Sequence, residues 1–147
     1  MALLILGLTA SCGGDTTTTP QDMAGGGGTT LTNLPTGCAP GVTADKLFTD
    51  TYSGNCAFGG CHGDGATTFV AKTAASLKGL VGKAATQTSK MPLVTAGDPQ
   101  KSYLMYKLLG QQTKAGGSGL LMPQGAGTPQ PANDLCKYLV WIQEGAK

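Results

Sequence analysis

The residues with the most chemistry to offer sit in one short stretch, Asn55-Cys56-Ala57-Phe58-Gly59-Gly60-Cys61-His62-Gly63. Two cysteines followed directly by a histidine follow the logic of the C-x-x-C-H pattern. In that pattern two thioethers hold the vinyl groups of a haem, and the histidine reaches the iron. Here four residues separate the cysteines instead of two. The loop must therefore bulge outward, and Gly59 and Gly60 permit this because glycine accepts positive φ without a Cβ penalty. His62 is the only histidine of the chain. These residues predict one covalently attached haem c, with Cys56 and Cys61 as attachment points and His62 as the proximal iron ligand. Phe58, inside the attachment loop, is expected to touch the haem.

A second axial ligand of the Met type is expected on the far side of the iron. Leu121-Met122-Pro123 lies about 60 residues after His62, in a Gly-rich loop. Pro123 stiffens the chain where the thioether must point inward. Met91-Pro92 repeats the dipeptide closer to His62 and is the rival. Ligation by both His62 and a methionine leaves no open coordination position. The expected activity is then electron carriage without catalysis. No proline lies between His62 and Met91, and the sequence names no acceptor for the imidazole Nδ1 proton.

Other chemistries fit less well. Zinc held by Cys56, Cys61 and His62 would require adjacent residues to chelate one ion, and no second C-x-x-C pair exists. No Ser-His-Asp set, catalytic carboxylate pair or phosphate loop is present. The alternative to a cytochrome is a haem-free, disulfide-stapled binding or interaction module. Its cysteines would pair Cys56 with Cys61, or exchange partners with Cys38 and Cys136.

The elements that must position these residues read as short helices. Thr43 can cap a helix over 43–52, with Leu47, Phe48 and Tyr52 on one face. Residues 73–80 form a second helix, ended by Gly79 or Gly82. Asp98-Pro99 opens a third, with Asp as the cap and Pro in the first turn, and Gly110 stops it. The loop over 111–131 is rich in Gly, Pro and Gln. A last helix runs from about Asn133 to Glu144, with Leu135, Leu139 and Ile142 at helical spacing and Gly145 as its stop. No stretch alternates like a strand, so the fold class is all-α. Tyr103, Tyr106 and Trp141 are expected to be core. Long loops in so small a domain need something to fill the middle, and a haem would do so.

The cysteines and termini bear on compartment. Met1 to Ala10 is an apolar run too short to span a bilayer and reads as the core of an export signal. Leu8-Thr9-Ala10-Ser11-Cys12 resembles the lipobox of bacterial lipoproteins, so Cys12 is the expected lipidation site and residues 1–12 the signal peptide. Residues 13–37 hold a Thr run and a Gly run and read as a flexible linker. The expected location is the bacterial cell envelope, lipid-anchored, periplasmic or outer-membrane facing. The formal net charge is +2, and there is no arginine. Dispersed lysines without arginine argue against a nucleic-acid surface. They leave weak electrostatic steering of an acidic redox partner as the functional reading.

Taken in order, Asn55-Cys56 through Cys61-His62-Gly63, Ala96-Gly97-Asp98-Pro99 with Ser102-Tyr103-Leu104 and Lys107-Leu108, Met122-Pro123, and Trp141-Ile142 with Gly145-Ala146 resemble class I cytochrome c-like domains. Such domains occur in many bacterial lipoproteins, notably of myxobacteria and planctomycetes. The resemblance covers residues 38–147. It implies a small bundle of short helices around one haem, first and last helices packed together, a His/Met axial pair and redox proteins as partners. If those helices pack so, Cys38 and Cys136 meet in a disulfide; the alternative is two buried thiols.

Overall fold

The computed structural model describes residues 30–64, 68–88 and 91–147. The expected signal peptide, the expected lipidation site Cys12 and most of the expected linker lie outside these residues. The described chain is helical, without strands. Two isolated β-bridges, Val81 to Val94 and Ala84 to Pro92, are its only extended pairings.

The first helical run has three parts: α1 (Ala44–Leu47), a π-helical turn (Phe48–Tyr52) and α2 (Ser53–Asn55). Thr43 caps it, its hydroxyl accepting from the Lys46 N–H at 3.2 Å. Helix α3 (Ala74–Lys78) begins with a capping box between Thr73 and Ser76 and ends at Gly79. The helix expected from Asp98 is split. Asp98 caps a 3₁₀ turn, Pro99–Lys101, and α4 (Tyr103–Leu108) follows after Ser102. Ser102 causes the break. Its hydroxyl accepts from the Thr95 N–H at 2.9 Å and donates to the Asp98 carbonyl at 2.8 Å, in competition with a continuous helical ladder. A second 3₁₀ turn, Gln112–Ala115, lies within the stretch read as loop. Helix α5 (Ala132–Gln143) closes the chain.

Helix α5 packs against α1 and α4, and α1 also against α3. Trp141, Tyr138, Tyr106, Tyr103 and Tyr52 are the largest buried side chains of the core between them. The two ends of the domain meet. The Ala44 N–H donates to the Lys147 carbonyl at 2.8 Å. The Glu144 carboxylate accepts from the Gly41 and Val42 N–H groups at 2.9 and 3.2 Å. Cys38 and Cys136 form a disulfide, with their Cα atoms 5.2 Å apart.

The linker reading over 13–37 needs correction at its end. Leu31 is 4 % exposed. Its N–H donates to Gln100 Oε1 at 2.7 Å, and the Thr32 N–H donates to Gln111 Oε1 at 3.0 Å. Two glutamine amides and one buried leucine hold this segment on the domain, which composition alone does not reveal.

The disulfide closes a loop of 98 residues. On the chain-entropy account such a closure contributes about 4 kcal/mol. The double variant Cys38→Ser/Cys136→Ser is expected to lose about that much in urea unfolding, and a loss under about 1 kcal/mol would contradict the account.

Candidate haem site

The loop from Cys56 to His62 is folded back on itself by its own backbone. The His62 N–H donates to the Cys56 carbonyl at 2.9 Å, and the Cys61 and Gly63 N–H groups both donate to the Phe58 carbonyl, at 3.1 and 3.0 Å. Residues 57–60 are thereby pushed outward, as the wide cysteine spacing requires. Of the two glycines expected to permit the bulge, Gly60 adopts positive φ, at 83°. Gly63 serves differently: a Cβ there would lie 2.5 Å from the Ala57 carbonyl oxygen and 2.7 Å from that of Phe58. Only a residue without a side chain lets the strand of chain after His62 cross so closely beneath the bulge.

The loop's inner side opens on a cleft with about 1170 Å³ of empty space, counted to its open mouth. Cys56, Cys61 and His62 line it, and so does Met122 from the far side of the sequence. Met91 is packed against the core and is not on the cleft wall. Met122 is held there by α4: its N–H donates to the Lys107 carbonyl, at the helix C-terminus, at 3.0 Å. Much of the remaining wall is apolar or aromatic, with Leu93, Leu104, Leu108, Leu120, Tyr103 and Phe69 contributing.

His62 is held in one orientation. Its Nδ1 lies 3.1 Å from the Phe69 carbonyl oxygen. A carbonyl only accepts, so Nδ1 carries the proton and Nε2 presents its lone pair in the neutral ring. Burial pushes the imidazole's pKa down, the Phe69 hydrogen bond opposes this, and Lys107 pushes it further down. The Phe69 ring stacks on the imidazole at 4.1 Å and 10°. One residue therefore fixes both the tautomer and the plane of the ring, the kind of support that metal-bound histidines receive.

At the base of the cleft Cys56 Sγ lies 3.6 Å from the Tyr138 hydroxyl. Burial raises the Cys56 pKa, and the Tyr138 hydrogen bond partly offsets it. Such a thiol is not the activated thiolate of a nucleophilic enzyme. Tyr52 is 2 % exposed, lines the cleft, and its hydroxyl has no hydrogen-bond partner among the described residues. A buried hydroxyl without a partner is uncommon in a folded protein and fits a ligand bearing polar atoms. Among the described residues, no three His, Cys, Asp or Glu side chains cluster to hold a bare metal ion.

Phe58 requires correction. It is 51 % exposed and is not on the cleft wall. The two extra loop residues that make the bulge carry its ring into solvent. Phe69 takes the place next to His62, and no motif in the sequence points to it. Tyr103 serves both core and wall, whereas Tyr106 and Trp141 are core alone. The wall residues Tyr52, Lys107 and Tyr138 were not legible as site residues, because burial and tertiary position define them. No protein-family model, curated protein or solved structure matches this chain.

The close approach at Gly63 gives a test of the loop. Gly63→Ala is expected to lower stability by about 1–3 kcal/mol, the usual cost of overpacking, and to weaken the loop. Gly54→Ala, where a Cβ meets nothing within 4 Å, is the control and should not lower the melting temperature. Equal behaviour of the two variants would contradict the crossing.

Proposed function

We propose that this chain holds one haem c and works as an electron carrier of the bacterial cell envelope, a small cytochrome c-like domain tethered to a membrane by lipid at Cys12. One observation carries the reading. Cys56, Cys61 and His62 from a single loop, and Met122 from about 60 residues later, line the same largely apolar cleft. Nothing in general packing requires the two sulfur attachment points and both axial donor types to share one wall.

The residues fit the group. Cys56 and Cys61 would hold it covalently, His62 Nε2 and the Met122 thioether would take the two axial positions, and Phe69 would keep the imidazole in place. When bound, the iron supplies one-electron exchange, and His/Met ligation in a dry site raises its potential. The chain's own part is to bind, orient and exclude water. A thioether forms when a thiol S–H adds across a vinyl group, the hydrogen going to the neighbouring carbon. Cys61 is disulfide-bonded in this structure, so loading requires that a dithiol reductant first cleave that bond by thiol–disulfide exchange, the reductant itself being oxidised to a disulfide. Among the described residues no helix is long and apolar enough to cross a membrane. In this reading attachment to the membrane rests on lipid at Cys12, and the partners are redox proteins that approach the cleft from solvent.

A second reading keeps the domain free of haem, as a disulfide-stapled binding module. The disulfides at Cys38–Cys136 and at Cys61 favour it.

Export through a host competent to mature c-type cytochromes, followed by a haem stain on a denaturing gel, separates the readings. A stained, pink protein with a sharp α-band on reduction is expected, and a colourless one ends the proposal. Cys61→Ala should abolish or strongly reduce the stain. Met122→Ala should convert the low-spin spectrum to high-spin while Met91→Ala does not; the reverse result would move the distal ligand to Met91.

A further inference from the structure

Among the described residues three tyrosines line the cleft, and the protein satisfies two of them. The Tyr103 hydroxyl donates to the Ser118 carbonyl at 3.2 Å, and the Tyr138 hydroxyl meets Cys56 Sγ at 3.6 Å. The Tyr52 hydroxyl is buried and has no hydrogen-bond partner among the described residues. A phenylalanine would fill the same space without that donor.

The ring cannot swing out to water. Tyr52 closes the π turn and is 2 % exposed. Its carbonyl accepts from the Cys56 N–H at 2.8 Å, and its ring stacks on Phe48 with centroids 6.0 Å apart. A hydroxyl taken out of water without a new bond costs stability, and folded proteins rarely keep one. Burial, with Cys56 beside it, pushes the phenol's pKa up. The group therefore keeps its proton and serves as a donor. It requires an acceptor, and the space that Tyr52 lines is the cleft. An occupant that was only hydrocarbon would leave the requirement unmet.

We propose that Tyr52 is a ligand-binding residue whose hydroxyl donates to an oxygen of the molecule in the cleft. The assignment rests on the haem reading above, and in that reading the chemistry of the porphyrin narrows the acceptor to one kind. The four ring nitrogens face the iron, and the methyl and vinyl groups are hydrocarbon. Only the two propionates carry oxygen, so the Tyr52 hydroxyl holds a propionate. Tyr52 then acts twice: its backbone carbonyl holds the Cys56 N–H, and its side chain holds the porphyrin before any sulfur is joined to it.

The test uses the full chain without haem, titrated with haemin and with iron(III) octaethylporphyrin, whose periphery is hydrocarbon. Binding is read from the Soret band. Tyr52→Phe is expected to weaken haemin about ten- to a hundredfold and to leave octaethylporphyrin unchanged. Without porphyrin the same variant should melt no lower than the wild type, because it removes an unpaired donor and little volume. A role in packing alone would move affinity for both porphyrins together, and an equal loss for both overturns the assignment. So does unchanged haemin affinity in Tyr52→Phe, or a lower melting temperature, which would mean that the hydroxyl has a partner in the protein. Each of these results leaves the haem reading standing. Binding of neither porphyrin by the wild type overturns both proposals. If Tyr52→Phe does not fold by circular dichroism, the wild type decides: preference for haemin supports the assignment, and equal affinity for the two porphyrins overturns it.

Discussion

A helix of six residues, all of them buried, has no water at its ends, so its terminal N–H and carbonyl groups must find partners in the protein. Helix α4 finds them in the surrounding loops. The Tyr103 and Leu104 N–H groups donate to the carbonyls of Pro92 and Leu93, both at 3.0 Å. At the other end the Lys107 carbonyl accepts from Met122. Without these bonds the helix would leave polar groups stranded in the core, and the loops on either side would have no fixed course. Leu93 and Met122, brought in by this accounting, both stand on the cleft wall. The site is therefore shaped by the demands of a short buried helix as much as by the Cys-His loop.

The N-terminal part of the described chain is held by side chains that imitate backbone. Gln100 accepts from the Leu31 N–H and donates to the Leu31 carbonyl, and Gln111 does the same for Thr32. Each amide offers the donor and acceptor that a neighbouring strand would offer. With the Glu144 carboxylate on Gly41 and Val42 and the Cys38–Cys136 disulfide, an irregular segment is fastened to a helical domain without forming secondary structure of its own. A domain with few large apolar residues depends on such directional contacts where burial is scarce.

Much of the local structure could be read directly. Thr43, Thr73 and Asp98 announce helix starts because their side chains satisfy orphan N–H groups, and all three do so here. The periodicity of Leu135, Leu139 and Ile142 marks α5 because one face must be buried. The split at Ser102 was hidden, since a serine inside a helical pattern gives no sign of which carbonyl its hydroxyl will choose. For the site, the Cys-His loop and Met122 were legible as residue types with known chemistry. Phe69 was not, because its role comes from a backbone carbonyl and a ring face set by tertiary packing. Phe58 misled for a related reason: proximity in sequence to Cys56 and Cys61 does not survive a bulge that turns the intervening chain outward.

The π turn at Phe48–Tyr52 leaves the helix with one residue more than a uniform α ladder would need, as the Ser53 N–H reaching back to the Phe48 carbonyl records. Each residue advances the helical phase by about 100°. The two sides of the turn are thus indexed separately: Ala44 and Leu47 are aligned to neighbouring helices, and Tyr52 and Cys56 to the cleft. Losing one residue in this segment would restore a regular helix and swing the Cys56 sulfur roughly a quarter-turn around the axis. In this chain, the angular setting of the Cys-His loop is written as a count of residues upstream of it.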